Sequence, residues 1–147
     1  MIFSTADISD LVELTELLGI LFEQEAEFTP NPDNQKQSLQ KILLNNDIGM
    51  LLIAKVEGKI VGMVNLLFTE STALGSKVAL LEDMIIHPNS RSKGIGSKLI
   101  NYAIDEAKKL GCKRVTLLTD RDNFKAQNFY IKNGFNQSTM MAFRLLL

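Results

Sequence analysis

The feature that most restricts the fold of this chain is a change of hydrophobic period across one short turn. Before it, Lys77 to His87 reads as a long strand. After it, Ile95, Leu99, Tyr102, Ala103, Ala107 and Leu110 recur at helical spacing. The turn carries Arg91, Ser92, Lys93, Gly94, Gly96 and Ser97. It must therefore join a strand to a helix start. Such a start presents free N–H groups and about half a positive charge to any anion nearby. Gly94 and Gly96 lack a Cβ, so backbone can come close to that anion. Arg91 and Lys93 add mobile positive charge. A pyrophosphate suits such a nest; the plain alternative is a turn whose glycines serve geometry alone.

The same reading extends along the chain. Ile2 to Ser4 can form an edge strand. Asp7 can cap a helix running to about Glu27, with Leu11, Leu14, Leu18, Leu21 and Phe22 on one face. Thr29 to Asn34 is rich in breakers, and a second helix is expected over Gln35 to Leu44. Met50 to Val56 and Lys59 to Phe68 are β-rich, and Glu57-Gly58 between them suits a tight hairpin. Gly111 sits where a helix stop belongs. Arg114 to Thr119 reads as strand, Phe124 to Asn133 as a short helix, and Gly134 to Leu147 as a terminal strand. The order is β-α-α-β-β-β-α-β-α-β. It predicts a mixed α/β sheet, antiparallel in front and parallel later, in one domain spanning 1–147.

Composition then removes function classes. A net charge of −1 does not favour nucleic acid. One His and one Cys cannot build a His/Cys metal cluster, so no metal is expected. No apolar run reaches membrane-spanning length and no secretory leader is visible, so a cytoplasmic protein without membrane partners is expected. The glycine turn is neither of two familiar phosphate loops. A phosphate-binding lysine loop needs a glycine five residues before Gly96, and a dinucleotide fingerprint needs a third glycine where Leu99 stands.

Three stretches taken together carry a resemblance. They are Leu81-Glu82-Asp83-Met84-Ile85-Ile86-His87-Pro88, the turn Arg91-x-x-Gly94-x-Gly96, and Asn123-x-x-Ala126-x-x-Phe129-Tyr130-x-x-x-Gly134-Phe135. In order and spacing the chain resembles the GNAT superfamily of N-acetyltransferases over essentially its whole length. The resemblance implies helices on both faces of the sheet and acetyl-CoA in a cleft between two splayed central strands. Backbone of Met84, Ile85 and Ile86 would pair with the pantetheine arm as a further strand. Amides of Ser92, Lys93, Gly94, Ile95, Gly96 and Ser97, with Arg91, would hold the pyrophosphate. Asn123 would contact the CoA arm or the phosphate region, and Tyr130 matches the family's usual acid.

The chemistry needs a base, because an alkyl amine of pKa about 10.4 is mostly protonated at pH 7 and its neutral form costs roughly 4–5 kcal/mol to reach. Glu82 and Asp83 are the candidates. As neighbours on a regular strand they point to opposite faces, so only one is expected to line the cleft, with Glu82 preferred. Tyr130 is neutral at pH 7 and can donate a proton to the departing sulfur. Glu25, Glu27 and Phe28 end the first helix beside the acceptor side implied by the resemblance, which suggests a cationic amine. The expected activity is acetyl transfer to a primary amine by direct attack. The alternatives are an acyl-CoA-binding sensor or an assembly subunit. An exposed terminal strand offers a surface for a homodimer.

Overall fold

A computed structural model describes residues 1–25 and 29–147. The elements are β1 (Ile2–Thr5), α1 (Leu11–Gln24), α2 (Pro32–Leu44), β2 (Gly49–Val56), β3 (Lys59–Ser71), β4 (Ser76–Ile86), α3 (Ile95–Lys109), β5 (Val115–Leu117) and α4 (Phe124–Lys132). The strands lie in chain order, β1-β2-β3-β4-β5. The first four pair antiparallel, and β5 joins β4 in parallel. This is the mixed α/β sheet that the periods predict.

Each face of the sheet builds its own core. On one, Leu14, Leu18 and Leu39 of α1 and α2 pack on Leu51, Ile53, Met63 and Ile85. On the other, Leu99, Ile100 and Ala103 of α3 pack on Leu52, Val64, Ala79 and Leu81, with Phe129 and Tyr130 of α4 alongside. Burying each such Leu or Ile contributes about 1.5–3 kcal/mol. Alternate residues of β2 and β3 thus feed opposite cores, which fixes their register.

Local signals act as expected at several ends. Glu57 (φ 51°) and Gly58 (φ 78°) are both left-handed, as a two-residue hairpin turn requires. Gly111 (φ 84°) follows α3. Pro32, which reads as a breaker, is instead the first residue of α2, capped by Asn31 Oδ1 accepting from Asn34 N at 3.2 Å. Proline's missing N–H costs nothing at a helix start.

Three boundaries differ from expectation. Helix α1 stops at Gln24, where Glu25 turns extended (φ −95°, ψ 130°); Glu27 and Phe28 lie outside the described residues. Strand β5 keeps only Val115–Leu117 of the expected Arg114 to Thr119. Residues 134–147 form no strand. A strand exists only where a neighbour satisfies its backbone groups, and β5 is a three-residue edge. Phe143 is accordingly 93% exposed and Met140 86%.

Candidate functional site

The site begins with an irregularity in β4. Met63 pairs with Ile85, but Asn65 pairs with Glu82, so Val64 alone faces both Asp83 and Met84. Asp83 takes a left-handed φ of 54°, uncommon for a residue with a side chain. The extra residue shifts the alternation. Leu81 and Met84 serve the α3 core and Ile85 serves the α1–α2 core, while Glu82 and Asp83 both line one cavity on the α1–α2 side. The expectation that the two carboxylates face opposite ways is therefore corrected: it holds for a regular strand, and this strand bulges.

The cavity is about 250 Å³. Leu18 and Phe22 of α1 and Leu39 and Ile42 of α2 form apolar walls, and Gln35, Glu82 and Asp83 supply oxygens. Asn65 Nδ2 donates to Asp83 Oδ2 at 3.2 Å. Burial pushes the Asp83 carboxyl above its ordinary range, partly opposed by that hydrogen bond. Glu82 is more open to water; partial burial and then the Asp83 charge raise its pKa, and Arg144 on the C-terminal segment acts against them. Gln35 is a residue that sequence reasoning missed as a site candidate. Its signal was a polar residue on the stripe of Leu39 and Ile42, at helical spacing.

On the other side of the bulge, β4 loses its neighbour. It pairs with β5 only through Ala79, Leu80 and Leu81, so Met84, Ile85 and Ile86 run on past the end of β5. The end of the pairing leaves a backbone edge of the kind an extended arm can join. The turn that follows is curled by positive φ at Ser92 (61°) and Gly94 (75°), and Gly94 caps α3. Ser92, Lys93 and Gly94 are exposed, and the first amides of α3 have no side-chain cap. An edge followed by a curled loop at an uncapped helix start fits a pantetheine arm and its pyrophosphate.

Several loop residues have additional duties. Arg91 Nε donates to Ile86 O at 2.9 Å and its Nη2 to Gln24 Oε1 at 3.2 Å, tying the loop to β4 and the end of α1. Lys93 Nζ donates to Asn89 O at 3.1 Å. Ser97 Oγ accepts from Asn133 Nδ2 at 3.3 Å, which links α3 to α4. Gly96 is not left-handed: a Cβ there would lie 3.3 Å from Phe129 Cε2 and 3.5 Å from Ile86 Cγ1. Its bareness lets α3 sit against α4 and β4, a packing reason that stands beside the anion approach expected. Gly96→Val should overpack this contact, lowering Tm by roughly 3–10 °C and weakening acetyl-CoA binding. Thermal unfolding and calorimetric titration would check both.

Asn123 caps α4, its Oδ1 accepting from Ala126 N at 3.1 Å. Tyr130 follows on that helix, edge-on to Phe129 (centroids 5.3 Å) and to Phe135 (5.8 Å). Burial, then the charge of Glu25, pushes its phenol up to about 12. Glu25 is thus near enough to Tyr130 to be felt by it. His87 is occupied locally, its Nδ1 accepting from Asn89 N at 3.2 Å. Among the described residues, no group of three or more His, Cys, Asp or Glu could hold a metal ion. Among them also, no helix is long and apolar enough to cross a membrane.

Comparison with known proteins agrees with this geometry. Residues 12–135 match the model of the Acetyltransferase (GNAT) family. An uncharacterised N-acetyltransferase of Bacillus subtilis (strain 168) is 32% identical over 121 residues, 81% of either chain. The aminoalkylphosphonate N-acetyltransferase of Salmonella typhimurium is 28% identical over 86 residues, 58% of this chain and 56% of that protein. Among solved structures, a possible acetyltransferase from Clostridium difficile 630 superposes with a TM-score of 0.90 at 16% identity, over 99% of this chain and 97% of that one.

Proposed function

The chain belongs to the Acetyltransferase (GNAT) family, and on that premise we propose that residues 1–147 act as one domain that moves an acetyl group from acetyl-CoA to a primary amine by direct attack. The observation that carries the reading is the bulge at Asp83. It sets two carboxylates in an acceptor-sized cavity beside the unpaired end of β4.

Acetyl-CoA, when bound, supplies an activated thioester. In this reading Met84, Ile85 and Ile86 hold its extended arm through backbone, and the loop from Arg91 to Ser97 holds the pyrophosphate. Asn123 lies at the start of α4, where its amide can face the arm. Glu82 takes the proton of the incoming ammonium, because it is open to water and can pass the proton outward. Asp83 is enclosed and held by Asn65; burial, and then the Asp83 charge, keep the Glu82 carboxyl above the ordinary value of 4.5. Tyr130, held protonated, donates to the departing sulfur. The charge of Glu25 reaches Tyr130 and would add negative charge near the acceptor side.

The test follows free CoA from acetyl-CoA across a panel of primary amines. Release with at least one amine, saturable in that amine, is the expected result. Acetyl-CoA binding without release from any amine would favour the sensor alternative instead. The Salmonella relative's aminoalkylphosphonate is not carried over, because two carboxylates line this cavity and none of its described lining residues is a lysine, arginine or histidine.

A further inference from the structure

We propose that the cavity between α1, α2 and β4 selects alkyl primary amines that carry no anionic group near the nitrogen, and that Gln35 is a specificity-determining hydrogen-bond acceptor for them. The inference rests on the acetyltransferase reading above and names the substrate class of that site.

Gln35 is only 9% exposed, and its Oε1 has no hydrogen-bond partner. A buried polar atom without a partner is rare and destabilises the free protein. The Gln35 residue lines the cavity together with Glu82 and Asp83, its oxygen lying just beneath the wall. Behind Asp83, Asn65 is 2% exposed and its Oδ1 is likewise unpartnered, while its Nδ2 is engaged by the Asp83 carboxylate. Among its described lining residues the cavity therefore has two carboxylates, the neutral Asn34, Gln35 and Ser38, and no cation. Arg144 acts on Glu82 from the C-terminal segment and is not part of the lining.

A primary ammonium brings three N–H donors and no acceptor. It would meet the two carboxylates, a small turn of the Gln35 side chain would bring that oxygen to the third donor, and its hydrocarbon body would lie along Leu18 and Phe22. A carboxylate or phosphonate next to the nitrogen would instead face Glu82 and Asp83 and leave like charges adjacent.

The experiment compares butylamine, an α-amino acid and an aminoalkylphosphonate as acceptors, with wild type and Gln35→Leu. The leucine side chain keeps the volume and removes the oxygen. The expected KM for butylamine in Gln35→Leu is higher by roughly tenfold or more, with kcat and the KM of acetyl-CoA within about twofold. Its Tm should be equal or higher, because the orphaned oxygen is gone. Wild type should use the two anionic amines at least about tenfold less efficiently than butylamine. An unchanged KM in Gln35→Leu, a lower Tm, or equal use of the anionic amines would overturn the inference and leave the acetyltransferase reading intact. If no amine releases CoA, that reading falls, and calorimetry with butylammonium still decides the subsite: binding that Gln35→Leu weakens supports it, and no binding by wild type overturns it.

Discussion

Replacing Glu82 by glutamine should cut kcat/KM by about 10²–10⁴-fold, the usual contribution of a positioned base. The acid limb of the pH–rate profile should vanish with it. Asp83→Asn should behave differently. The like charge that helps raise Glu82 disappears, so the acid limb should survive and move to lower pH. Asparagine tolerates the left-handed φ of 54° and can still accept from Asn65, so the bulge should persist. If Asp83→Asn abolishes the limb and Glu82→Gln keeps it, the two roles are exchanged.

Asp83→Asn should also stabilise the protein at neutral and alkaline pH. Burial lifts the Asp83 pKa in the folded state above the ordinary 3.8, so the folded chain favours the protonated acid. Stability from this group is complete below the unfolded pKa and declines as pH rises through the folded one. Asparagine does not ionise. Its Tm advantage should be present at pH 8 and shrink to nothing as pH falls below 3.8. A thermal unfolding series across pH reads this directly. Higher stability with lower activity in one variant is expected where a site holds a buried carboxylate for its chemistry.

Tyr130→Phe should lower kcat by about 10²–10³-fold with acetyl-CoA affinity nearly unchanged. Only a hydroxyl is removed, and the edge contacts to Phe129 and Phe135 remain, so the fold should hold. In the wild-type chain burial, and then the Glu25 charge, push the phenol up to about 12. It stays a donor across the working range, and no alkaline loss of activity below that value should trace to it. Unchanged kcat would remove Tyr130 from the chemistry and leave it as an aromatic of the α3-side core.

Much of this was legible in the residues. The hairpin at Glu57-Gly58 and the stop at Gly111 are set within a few residues, by φ preference alone. The strand–turn–helix from Lys77 to Lys109 follows from the period change, and the stretches around Glu82, Gly94 and Tyr130 carry the family resemblance. The capping role of Asn123 was not read from the sequence, although a cap is also a local device. Pro32 was misread because a proline signals equally a break and a helix start, and the difference depends on what Asn31 caps.

What the sequence alone determined, then, was the series of elements up to α4 and the faces they bury, and it supplied the carboxylates, glycines and tyrosine proposed here for the chemistry. Tertiary structure decided the rest. Which way Glu82 and Asp83 point depends on Val64 facing two residues across the sheet, a property of the pair of strands that neither strand encodes by itself. Whether residues 134–147 become a strand depends on a partner edge, and three-residue β5 does not supply a ladder for them. That Gln35 shares a cavity with Glu82 and Asp83 depends on α1, α2 and β4 coming together around it. Local conformation follows from a residue and its neighbours, whereas pairing, burial and unmet hydrogen bonds arise only when distant segments meet.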